Sequence, residues 1–124
     1  MNDKRKALRK NLMAFTSVYG LQPKTLFGYI DDLTVLGVKV IGEKSVDVNE
    51  HFVLGIEFPQ DANQKNGPRI VTAARVVWCR PDKNPHQWDI GFEFTESKPE
   101  NEKIIEAILR RYEFRRKSSS ADVD

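Results

Sequence analysis

Alternation constrains this chain more than any other feature. From Trp88 to Phe94 it reads Trp-Asp-Ile-Gly-Phe-Glu-Phe, with Trp88, Ile90, Phe92 and Phe94 at every second position. A strand turns successive side chains to opposite faces, so this spacing loads one face of a sheet with apolar groups. His51 to Phe58 repeats the pattern with Phe52, Leu54, Ile56 and Phe58. Arg69 to Cys79 sets Ile70, Thr72, Ala74, Val76 and Trp78 against Val71, Ala73, Arg75 and Val77. Leu12–Val18, Thr25–Ile30 and Leu36–Ile41 also read as strands. Breaker clusters separate the runs at Gly20-Leu21-Gln22-Pro23, Pro59 to Pro68 and Pro81 to Pro85. Five or six strands at this spacing predict a small antiparallel barrel or sandwich. Helical segments do not alternate with them, which argues against a parallel α/β fold.

The period changes after Ser97. Ile104, Ile105, Ile108, Leu109 and Tyr112 recur at helical spacing and predict one apolar stripe on a helix of about four turns. Ser97-Lys98-Pro99-Glu100 has the spacing of a capping box, with Ser97 as the cap. Ser118 to Asp124 is small and polar and reads as a disordered tail. The 124 residues, 40% of them hydrophobic, suffice for one domain with a real core. No apolar run reaches the roughly 18 residues of a membrane span, and no apolar segment follows the basic N-terminus as in a signal peptide. Cys79 has no cysteine to pair with, so a reducing cytoplasm is the natural setting.

The net charge of +2 conceals an uneven distribution. Residues 1–10 carry +4 and residues 110–117 carry +4, leaving an acidic body between two basic ends. Basic ends hold anions or stay solvated. Two short motifs bear on that choice. Arg5 and Arg9 stand four apart near the N-terminus, and Asp32-Leu33-Thr34-Val35-Leu36-Gly37 follows at the end of a predicted strand. Arginine offers a planar fork for phosphate and for the O6/N7 edge of guanine. A carboxylate accepts from the N1–H and N2–H₂ donors of guanine, a hydroxyl can donate or accept, and glycine lets backbone come close.

Arg5-x-x-x-Arg9 followed by Asp32-x-Thr34-x-x-Gly37 resembles the signature of PilZ domains. Ala74 to Trp78 and Ile90 to Phe94 are similar to the late strand pair of that family, so the resemblance covers about residues 4–95. It implies an all-β fold with one C-terminal helix, a six-stranded antiparallel β-barrel. The parts are then a basic flexible arm (1–10), the barrel (11–96), the helix (97–117) and the tail (118–124). The resemblance also implies a receptor for the bacterial messenger cyclic di-GMP. Arg5 and Arg9 would hold phosphates and guanine, Asp32 a guanine edge, Thr34 a hydroxyl contact and Gly37 a close backbone approach. Thr34 stands where the family has serine and keeps the hydroxyl. The implied output is an arm that orders on binding and signals to a downstream protein in the cytoplasm. No cofactor, DNA, RNA or membrane span is expected.

The residues also admit blander readings. Asp31-Asp32 and Gly37 suit an ordinary turn, and adjacent Asp31 and Asp32 would point apart on a regular strand. His51 and His86 are isolated, Cys79 has no histidine at a telling spacing, and no cluster suggests an enzyme or a metal centre. An alternative function is a PilZ-like adaptor that binds protein and not nucleotide. A nucleic-acid-binding barrel would need aromatics among the basic residues, and only Tyr112 and Phe114 qualify.

Overall fold

The computed structural model describes residues 16–58 and 68–110. Six strands form: β1 Ser17–Leu21, β2 Lys24–Thr34, β3 Gly37–Gly42, β4 His51–Glu57, β5 Arg69–Pro81 and β6 Trp88–Phe94. All pairs are antiparallel, in the order β1-β2-β3-β6-β5-β4, and β1 pairs with β4 to close the barrel. Among the described strands, closure leaves no long edge open to another chain. Apart from Trp78, the alternating residues of β4, β5 and β6 point inward as their spacing requires. Leu54 and Ile56 on β4, Ile70 and Val76 on β5, and Ile90 on β6 are fully buried. Phe27, Phe52 and Phe92 meet inside, with ring centroids 4.8 Å (Phe27–Phe52) and 5.5 Å (Phe27–Phe92) apart.

β5 is long because it serves two neighbours in succession. Arg69 to Arg75 pair with β4, and Ala74 to Pro81 pair with β6. The side of β5 that β6 does not reach is taken up by the chain entering the helix. Thr95 N–H donates to Ala73 C=O at 2.9 Å, and Ala73 N–H donates to Glu96 Oε1 at 2.9 Å. Asn101 Nδ2 and Lys98 Nζ donate to Val71 C=O at 3.0 and 3.3 Å. The helix α1, described over 99–110, then turns Ile105 and Ile108 into the core, with Ile104 and Leu109 partly buried beside them.

Five sequence expectations need correction. β1 runs Ser17–Leu21, not Leu12–Val18, and residues 12–15 lie outside the described residues. Gly20 is a strand residue opposite Leu54, not a breaker. The cap of α1 is Lys98, not Ser97. Glu102 N–H donates to Lys98 C=O at 3.0 Å, and the Ser97 hydroxyl donates instead to Glu102 Oε2 at 2.6 Å. Pro99 decides this, because proline fits the first helical position, where no N–H is needed. The other two corrections are bulges, at Asp31 and at Val77. Both change which face a side chain occupies, and both fall at the site described next.

Candidate functional site

The Asp32–Gly37 motif folds into the tight end of the β2–β3 hairpin. Thr34 pairs with Gly37, Leu33 with Val38 and Asp32 with Lys39, so Val35 and Leu36 alone form the loop. Leu33 and Val38 are buried, which puts Asp32 and Lys39 on the outer face. Leu36 N–H donates to Thr34 Oγ1 at 3.1 Å, a side-chain turn that holds the tip and leaves the hydroxyl proton to donate elsewhere. Phe94 N–H donates to Leu36 C=O at 2.9 Å and ties the tip to β6. At Gly37 the backbone that comes close is the barrel's own. A Cβ there would lie 2.2 Å from Phe92 C=O.

Asp32, Thr34 and Gly37 therefore share one shallow depression of about 300 Å³, walled also by Leu36, Lys39, Trp78, Gly91 and Glu93. The two bulges shape it. β5 shifts register between Val76 and Trp78, so Trp78 stands opposite Gly91 while Cys79 rejoins the core row opposite Ile90. Simple alternation assigns Trp78 to the row of Val76; the bulge turns it outward. Its indole lies against the Gly91 backbone, where a Cβ would come within 2.3 Å of the ring. The Arg80 guanidinium stands 4.5 Å from the indole centroid, a cation–π contact.

β2 shifts between Ile30 and Asp32, making Asp31 the inserted residue. Asp31 and Asp32 consequently do not point apart. Lys39 is cross-strand from Asp32, yet its ammonium binds Asp31 Oδ2 at 2.9 Å, with Asp89 Oδ2 at 4.0 Å. The hydrogen bond to Asp31 holds the Lys39 ammonium above its ordinary pKa despite partial burial. Burial pushes the Asp89 carboxyl up, and a hydrogen bond with Asp82 adds to the rise. Asp82 is held low, first by the N–H of Asn84 and next by Asp89. Of the two carboxyls, Asp89 is therefore the harder to ionise and Asp82 the easier.

A larger cleft of about 500 Å³ opens between the β1–β2 turn and the start of β4. Its walls include Gly20, Pro23, Phe27 and Phe52, and His51 is the ionisable residue among them. Asp32, Thr34 and Gly37 do not line it. Among the described residues no group of three His, Cys, Asp or Glu is placed to hold a metal ion, and no helix is long and apolar enough to cross a membrane. Arg5 and Arg9 lie outside the described residues, as does Tyr112 of the predicted apolar stripe.

Comparison with protein families matches residues 3–111 to the PilZ domain. The chain belongs to the PilZ domain family. PilZ domains are receptor and adaptor domains rather than enzymes. Among solved structures, the chain is similar to the inhibitor of motility MotI/DgrA of Bacillus subtilis, with a TM-score of 0.61 and 16% identity over 77% of this chain. That likeness shows the shared barrel fold, and this chain spans 45% of that protein. No curated protein sequence matches.

Within this PilZ barrel the sequence motifs located three walls of the depression but not Lys39, Trp78 or Gly91. The signal for Lys39 was present. With a two-residue loop at Val35-Leu36, counting back from Thr34 and forward from Gly37 places residue 39 opposite residue 32. Gly91, within a run of large residues, marked a place where a bulky neighbour covers the backbone.

Proposed function

We propose that this chain binds cyclic di-GMP at the β2–β3–β6 face and passes the binding event to a partner protein. The observation that carries the reading is the hairpin register, which gathers Asp32, Thr34 and Gly37 around one depression. An exposed carboxylate there suits the N1–H and N2–H₂ edge of guanine. Thr34 adds a hydroxyl proton, and Trp78 adds an aromatic wall. The face is rich in carboxylates, so a ligand with two phosphate charges needs cations from elsewhere. Arg5 and Arg9 supply them in this reading, each fork meeting a phosphate or the O6/N7 edge of a base. Closure of the arm, residues 1–10, over the barrel is the output.

Calorimetric titration of Arg5→Ala, Arg9→Ala and Asp32→Ala tests this. Losing one charge-assisted partner in a partly desolvated site costs about 2–5 kcal/mol, roughly 30-fold to several thousand-fold in affinity. Asp32→Ala should also narrow the preference for cyclic di-GMP over cyclic di-AMP, because adenine lacks that donor pair. Parent-like affinity in all three variants contradicts the assignment.

A further inference from the structure

Lys39 has a further role, and it rests on the reading of Asp32 given above. We propose that Lys39 is a positioning residue for Asp32, acting through Asp31 as an ionic strut across β2, β3 and β6. Asp31 is the residue inserted at the bulge in β2, its side chain is 7% exposed, and the Lys39 ammonium holds its carboxylate at 2.9 Å. The same ammonium stands 4.0 Å from Asp89, whose side chain is 13% exposed, so it reaches from β3 to both neighbouring strands.

The arrangement matters because Asp31 and Asp32 are consecutive. A rotation that frees Asp31 also turns the peptide that carries Asp32. Three aspartates, Asp31, Asp32 and Asp89, occupy this outer face, with Asp82 hydrogen-bonded to Asp89. The carboxylates of neighbouring Asp31 and Asp32 repel each other, and the Lys39 ammonium lets Asp31 fold onto the face instead of swinging away. Lys39 therefore sets the direction from which Asp32 meets a base. Lys39 lines the depression, and its ammonium is held by Asp31 with Asp89 beside it.

The test is a double-mutant cycle read by calorimetry with cyclic di-GMP and cyclic di-AMP. Lys39→Met keeps the stem and deletes the charge. It should weaken cyclic di-GMP binding about tenfold and narrow the preference over cyclic di-AMP, as expected when a supporting group that aims a binding residue is lost. Lys39→Arg retains the ion pair and should restore both. In an Asp31→Asn background, Lys39→Met should cost nothing further, because the group it acts through is already neutral. Equal losses with and without Asp31→Asn overturn the proposal in favour of direct ligand contact. Parent-like binding by Lys39→Met overturns it outright. Melting each free variant separates positioning from stability; a Lys39→Met loss that tracks a lowered midpoint, and a Lys39→Arg that fails to rescue, overturns it too. A parent protein that binds no cyclic di-GMP defeats the functional reading itself, which the variants alone cannot do.

Discussion

A methyl group placed on Gly37 would collide with β6 before it met any ligand. The Cβ would lie 2.2 Å from Phe92 C=O, so β3 and β6 must separate. Gly37→Ala should therefore destabilise the free protein by about 1–3 kcal/mol, the usual cost of overpacking. Chemical denaturation without ligand checks this, and an unchanged midpoint contradicts the close approach. Asp89 offers a second residue-scale test, with a definite sign. Its folded pKa is raised, so the folded state keeps a proton that the unfolded chain gives up above the ordinary value of 3.8. Stability from this group consequently falls as pH rises through that window. Asp89→Asn removes the titration, and its amide can still donate to Asp82. The variant should gain stability relative to the parent as the pH rises above about 4. A difference that stays constant as the pH rises contradicts a raised Asp89 pKa.

At the scale of elements, α1 both fills the core and covers the side of β5 that β6 leaves. Ile105 is 2% exposed, and Ile105→Ala should cost about 2–5 kcal/mol through lost burial and the cavity left behind. A thermal melt reads the loss as a drop of many degrees; a shift within error means that α1 is peripheral. The strands and the apolar stripe of α1 were legible in the sequence because burial on one face leaves a period of 2 or 3.6. The bulges at Asp31 and Val77 were not. Alternation counts residues without knowing that one is inserted, so it sent Trp78 inward and split Asp31 from Asp32. The cap was misplaced for a local reason: Ser97 and Glu100 have the right spacing, but Pro99 takes the first helical position and moves the cap to Lys98.

Over the whole molecule, barrel closure brings separate stretches of sequence to one face. β2 and β3 contribute Asp32, Thr34, Gly37 and Lys39, β5 contributes Trp78, and β6 contributes Gly91 and Glu93. The motif residues were legible as a local string. Their neighbours from β5 and β6 were not, since those depend on strand order and register rather than on any short pattern. In the proposed site guanine recognition falls to this composite face and phosphate recognition to Arg5 and Arg9. A site so divided should accept a cyclic guanine dinucleotide and reject ligands that satisfy only half of it. The most direct measurement is calorimetric titration of the full chain with cyclic di-GMP, with GTP and cyclic di-AMP as controls. The account predicts saturable binding of cyclic di-GMP, at least tenfold tighter than either control, about 1.4 kcal/mol or more. No heat with cyclic di-GMP, or equal binding of all three, contradicts it.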